Sequence, residues 1–348
     1  MADREVLALA INRAPFLRPR DRFVLLEACG GPESLCRMST AGLARALGRP
    51  VISGSWRPLE LLRQAEREHG DLTRAGFVCT FYWDGAFPAA LKEIYDPPLV
   101  LYYRGTLPSP RRPLVAIVGT RRPSGAGRER AYELGFELGR AGVGTVSGVA
   151  RGIDAEAHKG TLDAGGYTIG ILGNGIDTVC PSSSRALGRK ILGQGGALAG
   201  EYPPGVGPEA WHFPARNRII SGLARSVVVV QAPERSGALI TADYALEQGR
   251  DLAVHAVGLC GEVGKGSREL WRQGAPVVRS AEDVLALWGL EPARGAETHP
   301  EAGSQLPEAG SPREWGRELA RRMELELAGK IVVRGGKIYR KVDHGKQP

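Results

Sequence analysis

The hydrophobic pattern in the middle of the chain consists of short, continuous apolar runs separated by amphipathic stretches. Apolar runs of this length, rich in β-branched residues, are typical of strands buried on both faces. Strands that alternate with helices form parallel βαβ units, so the pattern predicts an α/β domain with a parallel sheet over 106–290. The five clearest runs are Leu114–Val118, Val143–Val146, Thr168–Leu172, Ser226–Val230 and Leu252–Val257.

The first 105 residues have a different pattern, in which apolar residues recur at helical spacing. Examples are Phe23–Leu26, Leu43 with Leu47, and Leu59–Ala65. This spacing predicts an N-terminal, mainly helical module over 1–105. A short strand is predicted at its end, over Phe77–Phe81.

The pattern changes again after residue 290. Prolines, glycines and glutamates without apolar periodicity predict a flexible linker over 291–312. A helix is predicted next, followed by two short strands, Ile331–Arg334 and Lys337–Arg340, joined by a two-residue Gly-Gly turn. The helical stripe consists of Trp315, Leu319, Met323 and Leu327.

Small residues and arginines follow three of the predicted strands at the point where each strand ends. The carboxyl ends of parallel strands share one edge of a sheet, and ligands of open α/β sheets bind outside that edge. Turns of this kind expose backbone N–H groups at a helix N-terminus, which favours anions. The turns therefore predict one composite phosphate site, although each alone is also compatible with an ordinary strand–helix connection. They are Gly119-Thr120-Arg121, Ser147-Gly148 with Arg151, and Ser236-Gly237.

Two further residue groups predict contacts at this site. Arg216-Asn217-Arg218 lies just ahead of the run Ser226–Val230, and the planar guanidinium is suited to bidentate phosphate contacts. The alternative is a solvated helix start with incidental charge. Asp154 is expected to be the N-cap of the helix after Ser147-Gly148.

Composition narrows the classes of partner. The 348 residues carry a formal net charge of +8, which favours polyanionic partners. Five cysteines without a Cys-x-x-Cys motif disfavour a disulfide framework or a zinc finger, and we expect reduced thiols in the cytoplasm. The chain has no apolar run of about 18 residues and no signal-peptide pattern, so we expect no membrane partner.

Motifs for cofactors and catalysis are incomplete, so we expect no cofactor, no metal and no enzymatic activity. Gly125-Ala126-Gly127 and Gly173-Asn174-Gly175 lack the third glycine of a dinucleotide fingerprint, and Gly264-Lys265-Gly266 is not a P-loop. There is no Gly-x-Ser-x-Gly elbow. The six histidines lack metal-ligand spacing, and we expect His158 to be a helix side chain near the site rather than a base.

Taken together and in this order, the motifs resemble those of the DNA-processing protein A family, also called DprA or Smf. The resemblance extends from near Tyr82 to about Trp288. The chain departs from the family's usual pattern at Cys180, Gln231, Val257 and Arg268. The residues that carry the resemblance are Asp84-Gly85 with Phe87-Pro88, Asp96–Tyr102, Gly119-Thr120-Arg121, Ser147-Gly148 with Ala150–Asp154 and Ala157-His158, Phe213-Pro214 with Arg216-Asn217-Arg218, and Ser236-Gly237 with Thr241-Ala242.

The resemblance implies a Rossmann-like domain over 106–290 and a non-catalytic, single-stranded DNA-binding protein. Such a protein would protect incoming DNA during natural transformation and help to load the RecA recombinase, as a cytoplasmic homodimer. The predicted DNA-binding residues are Gly119, Thr120, Arg121, Ser147, Gly148, Arg151, Arg216, Asn217, Arg218, Ser236 and Gly237.

Over 313–348 the resemblance implies a short, degenerate winged-helix-like module. Its basic residues are secondary DNA-binding candidates: Arg334, Lys337, Arg340 and Lys341.

The alternative is a Rossmann-like nucleotide hydrolase of the lysine-decarboxylase-like type. Such enzymes carry a Pro-Gly-Gly-x-Gly-Thr-x-x-Glu motif, and the corresponding region here, 232–241, has no counterpart. Glu201 and Asp154 are the carboxylates that such an enzyme would have to use.

Overall fold

The structure, a computed structural model, describes residues 2–51, 56–72, 76–290, 331–334 and 337–340. The chain divides into two compact units, Met1–Gly289 and Leu290–Pro348. The predicted linker and the predicted helix after it, together with Lys341, lie outside the described residues. The predicted division at residue 105 stays a prediction.

Helices dominate the beginning of the first unit, as the sequence predicts. Three of them begin with a proline, which suits the first helical position because its missing N–H has no partner there. The fourth helix is capped by the Ser39 side chain and ends at Gly48, which has φ 62°. These helices are α1 (Ala2–Asn12), α2 (Pro19–Ala28), α3 (Pro32–Arg37), α4 (Thr40–Leu47) and α5 (Pro58–Asp71).

One nine-stranded sheet is formed by the described residues of the first unit, in the order β1-β2-β6-β5-β4-β3-β7-β8-β9. Its strands from β3 onward are parallel, which confirms the predicted α/β domain with a parallel sheet. The winged-helix-like module over 313–348 stays a prediction. β1 and β2 add antiparallel strands at one edge. β1 confirms the short strand predicted over Phe77–Phe81, whereas β2 was not predicted. The strands are β1 (Val78–Phe81), β2 (Val100–Gly105), β3 (Leu114–Val118), β4 (Gly144–Ser147), β5 (Thr168–Leu172), β6 (Ala197–Gly200), β7 (Ser226–Val229), β8 (Asp251–His255) and β9 (Val277–Val278).

Helices connect the parallel strands, and α7 and α8 pack with their backbones in contact. A Cβ atom at Gly160 would lie 1.9 Å from the backbone oxygen of Tyr132, so this crossing requires glycine. The contact fixes the two helices that begin at the first two loops of the carboxyl edge. The connecting helices are α7 (Gly125–Arg140), α8 (Ile153–Asp163), α9 (Arg185–Gly193), α10 (His212–Leu223), α11 (Gly237–Glu247) and α12 (Lys265–Arg272). In addition, α6 (Ala89–Lys92) lies between β1 and β2, and α13 (Ala281–Ala286) follows β9.

The strand order reverses direction at β3. From β3 the chain adds β4, β5 and β6 on one side and then returns to add β7, β8 and β9 on the other. Such a reversal opens a crevice at the carboxyl ends of the two diverging strands, here β3 and β7. The topology therefore points to the loops 119–124, 148–152 and 230–236.

In the second unit, β10 (Ile331–Arg334) pairs antiparallel with β11 (Lys337–Arg340). This pairing confirms the predicted hairpin. Among the helices in the described part of the chain, none has the length and apolar character needed to cross a bilayer.

Candidate functional site

The first two loops of the carboxyl edge are joined through their backbones. The N–H of Ile153 donates to the carbonyl oxygen of Thr120 at 3.2 Å. Gly152 has φ 82°, and a Cβ atom there would lie 2.4 Å from that same oxygen. Only glycine allows this approach, so the loops after β3 and β4 form one continuous rim, as the composite-site prediction requires.

Gln231 connects the third loop to the first. Its backbone oxygen accepts from the N–H of Thr120 at 2.7 Å, and its Oε1 accepts from the N–H of Ser124 at 3.0 Å. Its Nε2 donates to the Ser124 hydroxyl at 3.2 Å, and that hydroxyl caps α7. The sequence analysis treated Gln231 only as a departure from the family pattern and missed this role. The available signal was a polar residue immediately after a buried strand.

Two of the predicted arginines are exposed on this rim. Arg121 belongs to the first loop and Arg151 to the second. The guanidinium of Arg121 lies 5.7 Å from the ring centroid of Phe213, which is at the start of α10. In the described part of the chain neither arginine has a carboxylate partner, so both charges face solvent. Arg122, also exposed, adds a third positive charge that was not among the predicted site residues.

Arg216 has a different environment from the one predicted. It is only 5 % exposed, and its guanidinium donates to the backbone oxygens of Gly148, at 3.0 Å, and Ile171. Burial lowers the pKa of Arg216 to about 10, and nearby Asp154 opposes that shift, so the group stays charged at neutral pH. The geometry makes Arg216 a brace for the second loop, and this corrects the prediction of an open phosphate contact.

The position of the Arg216 guanidinium requires glycine at position 148. A Cβ atom at this position would lie 2.6 Å from a terminal nitrogen of Arg216 and 2.8 Å from Oδ2 of Asp154. The preceding Ser147 is fully buried, and its hydroxyl donates to the carbonyl oxygen of Ile117 at 2.7 Å. Both residues therefore shape the turn rather than face solvent.

The prediction that Asp154 is an N-cap is wrong. Gly152 precedes α8, and Asp154 is the second residue of the helix. Its carboxylate accepts from the N–H of Gly148 at 3.1 Å, across the turn. Burial raises the pKa of Asp154 against the opposing charge of Arg216. The next residue after Gly148, Val149, has φ 55°, a conformation that costs a β-branched residue energy and that the surrounding contacts hold in place.

Arg218 is also buried, at 3 % exposure, and it contacts a different part of the molecule. One terminal nitrogen of its guanidinium donates to both carboxylate oxygens of Glu201, at 2.9 Å each, and its Nε donates to the backbone oxygen of Asp96. Glu201 also accepts from Arg22 of α2. Burial opposes ionisation of Glu201, but the two guanidinium groups outweigh it and lower its pKa. This cluster fastens α10 to the N-terminal helices, so an open phosphate role for Arg218 is also corrected.

Gly119 follows β3, and a Cβ atom there would lie 2.5 Å from Cγ1 of Ile153. The other predicted residues lie where α10 meets α11. The side-chain amide of Asn217 donates to the backbone oxygen of Gly237 at 3.1 Å. The Ser236 hydroxyl accepts from the N–H of Ala238 at 3.3 Å and caps α11. Gly237 is exposed and Ser236 is half-buried. The N-terminus of α11 is therefore open to solvent beside α10.

His158 lies inside α8 and is fully buried, in agreement with the expectation that it is a helix side chain. Its Nδ1 pairs with the Thr168 hydroxyl at 2.6 Å. Burial lowers the pKa of His158 to about 3, so the imidazole is neutral at pH 7. Among the described residues, no group of His, Cys, Asp and Glu side chains has a metal-binding arrangement.

Comparison with known proteins identifies the family. Residues 78–289 match the family model described as DNA recombination-mediator protein A. The chain belongs to this family. The match confirms the resemblance drawn from the motifs, and it includes the three loops, α10 and the start of α11.

Relatives agree with this membership in the DNA recombination-mediator protein A family. The DNA processing protein DprA of Streptococcus pneumoniae is 41% identical over 203 residues, which cover 58% of this chain and 71% of that protein. An X-ray structure of DprA from the same organism superposes with a TM-score of 0.64 at 33% identity, covering 79% of this chain and 95% of that one.

A second solved structure, from Helicobacter pylori, superposes with a TM-score of 0.53 at 26% identity. The match covers 62% of this chain and 97% of that one, and its title describes a single-stranded DNA binding mode of DNA processing protein A.

Proposed function

We propose that this family member binds single-stranded DNA along the carboxyl edge of its sheet, protects incoming strands during natural transformation and helps to load the RecA recombinase. The observation that carries the proposal is the rim formed by the first two loops. It presents Arg121 and Arg151 to solvent without carboxylate partners in the described residues, on backbones held by direct contact. A positively charged groove with exposed N–H groups follows a phosphate backbone without requiring a particular sequence.

The proposed site residues divide into two sets with different roles. The outer set contacts phosphates, through guanidinium groups or through the open start of α11. Residues of the inner set hold the turns and α10 in the geometry that the outer set needs. The outer set is Arg121, Arg151, Ser236 and Gly237, and the inner set is Gly119, Thr120, Ser147, Gly148, Arg216, Asn217 and Arg218.

The carboxylates of the site support a binding function over a hydrolase. Asp154 and Glu201 are buried, and each lies against an arginine of α10. A general acid or base must reach the reacting group within hydrogen-bond distance. Neither carboxylate faces the solvent side of the rim, so both make contacts within the fold rather than with a substrate.

The family resemblance and the physics of avidity motivate a homodimer. A single rim provides few phosphate contacts, whereas two rims on one strand raise the effective local concentration. A two-fold pair is also the commonest oligomer. The homodimer, the RecA contact and the secondary DNA-binding role of Arg334, Lys337, Arg340 and Lys341 belong to the proposal.

Fluorescence anisotropy with a labelled thymidine oligonucleotide and a duplex of equal length tests the DNA-binding part. We expect tighter binding of the single strand and an affinity that falls with salt, with a log–log slope of roughly −0.7 per phosphate contacted. Arg121→Ala and Arg151→Ala should each weaken binding. Arg140→Ala is the matched control, because Arg140 is exposed at the opposite end of α7. A flat salt response, or equal losses in all three variants, would refute the site.

The recombinase part needs a separate assay. We expect the protein to accelerate assembly of RecA on single strands that are already covered by single-strand binding protein. The Arg121→Ala, Arg151→Ala double variant should lose that acceleration. If the wild-type protein binds single strands but leaves RecA assembly unchanged, the loading role is wrong and the DNA site stands.

A further inference from the structure

Trp211 is an exposed aromatic side chain beside the proposed DNA site that no role described above accounts for. Among the tryptophans that the structure describes, it is the one with an exposed side chain, at 52 %. It is the residue immediately before α10, two positions from the Phe213 ring that the Arg121 guanidinium covers. The indole contacts Tyr202, which follows β6 at the carboxyl ends of the parallel strands, so it lies at the same edge of the sheet as the rim.

The indole is supported from behind by buried rings. Its ring centroid lies 4.0 Å from that of His212 and 6.3 Å from that of Tyr202, both in edge-to-face orientation. Tyr202 and His212 stack on each other at 3.9 Å. The Nδ1 of His212 accepts from the backbone N–H of Glu209 at 3.4 Å, which ties the preceding loop to the same cluster. A rigid, preordered aromatic group loses little conformational entropy when a ligand stacks on it.

We propose that Trp211 is a stacking platform for one unpaired nucleobase and that it is the residue that makes the site prefer single strands to duplex. The inference rests on the proposed DNA-binding function. Guanidinium groups on the rim attract the phosphates of either form of DNA. A free base face is available only where the base is unpaired and unstacked, because in a duplex both faces are covered by neighbouring bases. Charge on the rim therefore supplies affinity, and the indole supplies the preference for single strands.

The test compares three ligands of equal length: a thymidine oligonucleotide, a strand of abasic deoxyribose phosphates, and a duplex. Trp211→Ala should weaken binding of the thymidine strand by roughly tenfold or more, as expected for loss of one base–aromatic stack. Binding of the abasic strand and of the duplex should stay the same. Trp211→Phe retains an aromatic face and should restore most of the lost affinity.

Phe136→Ala is the matched control. Phe136 is an exposed aromatic residue stacked on Tyr132, and it lies in the second half of α7, away from the carboxyl edge. This variant should bind all three ligands like the wild-type protein. Circular dichroism of each variant checks that the fold is unchanged, and Trp211→Phe keeps an aromatic ring at this position.

Intrinsic fluorescence gives a second readout. The thymidine strand should quench tryptophan emission of the wild-type protein but not that of Trp211→Phe, whereas the abasic strand should quench neither. Unchanged thymidine affinity in Trp211→Ala, a proportional loss for the duplex, or quenching that persists in Trp211→Phe would each overturn the proposal. If the wild-type protein binds none of the three ligands, the proposed function itself fails, so the two failures are distinguishable.

Discussion

The loop arginines and the helix arginines of this protein share a residue type and a motif region but not an environment. Arg121 and Arg151 extend into solvent from the two loops. Arg216 and Arg218 lie inside α10 with nearly all of their surface removed from water. The comparison shows that arginines near one sheet edge can have two different roles. The loop arginines are accessible to a ligand, and the helix arginines make contacts within the protein.

The difference follows from what surrounds α10. Every residue of this helix from Arg216 to Leu223 is buried, so an arginine there must find acceptors within the protein. The Arg216 guanidinium donates to backbone oxygens and interacts electrostatically with Asp154. Arg218 forms an ion pair with Glu201. The two helix arginines therefore contribute to the stability of the rim, whereas the two loop arginines contribute charge.

The largest effect is expected from Glu201→Ala. It would leave two buried guanidinium groups, those of Arg22 and Arg218, without their carboxylate, and breaking a buried pair this way costs about 3–5 kcal/mol of unfolding free energy. Urea denaturation followed by circular dichroism measures it. Glu33→Ala, which removes an exposed partner of Arg37, is the control and should change little. Equal midpoints for the two variants would contradict a stabilising buried cluster.

The second largest loss of unfolding free energy is expected from Arg216→Ala. Two backbone oxygens and the buried Asp154 would lose their partner, at about 1.5–3 kcal/mol for a charge-assisted contact. From sequence alone, replacing Arg121 and Arg216 together would be expected to leave thermal stability nearly unchanged, and the burial of Arg216 reverses that expectation. Arg216→Lys should recover little of the stability, because one ammonium group cannot reproduce the planar fork. Thermal unfolding measures both variants.

Arg121→Lys tests the exposed loop arginines in the same way. Because Arg121 faces solvent, we expect no change in unfolding free energy and only a small loss of single-strand affinity, since a lysine still supplies the positive charge. Arg121→Ala should lose about 1.5–3 kcal/mol of binding free energy per phosphate contact. Anisotropy titration and thermal unfolding of the same samples separate the two quantities. If lysine is tolerated at position 216 but not at position 121, the structural role assigned to Arg216 and the binding role assigned to Arg121 are wrong.

A further prediction concerns the dependence of stability on pH. Burial holds the pKa of His158 at about 3, below its unfolded value near 6.5, so between these pH values the unfolded state binds a proton that the folded state does not. The stability contributed by the neutral, folded His158 is therefore present above about pH 6.5 and is lost as pH falls. His158→Gln cannot protonate and should flatten this part of the pH dependence. An imidazole NMR resonance of His158 that titrates near pH 6 would contradict the burial argument.

The smallest effect is expected from ending the chain at Gly289, the last residue of the first unit. The rim lies wholly within that unit, so the truncated protein should fold and keep most of its single-strand affinity. Analytical ultracentrifugation and anisotropy on one preparation measure assembly and binding. Loss of nearly all binding would move the main site to Arg334, Lys337, Arg340 and Lys341.

The sequence predicted the parallel strands β3, β4, β5, β7 and β8, because their apolar runs are continuous and rich in β-branched residues. It missed β6, since Ala197–Gly200 consists of small residues with weak strand preference. It also missed β9, which has only two residues, and β2, which pairs antiparallel with both β1 and β6. It predicted that the loops after β3, β4 and β7 meet at the carboxyl edge, and the structure joins the loop after β3 to the other two by hydrogen bonds. It could not separate Arg216 from Arg121, because burial depends on which helices cover α10, and that information is tertiary.

The backbone contact between Gly152 and Thr120 has a consequence for the rate of binding. A rim already held in place needs no ordering step before a strand can attach, so we expect association to be limited by encounter and accelerated by charge. Electrostatically steered encounters reach on the order of 10⁸–10⁹ M⁻¹s⁻¹ at low salt. Differences in affinity among variants that keep the rim intact should then appear chiefly in how long a strand stays bound. A fixed edge of this kind would capture DNA quickly and release it at a rate set by the number of contacts, which suits the proposed transfer of the strand to a recombinase.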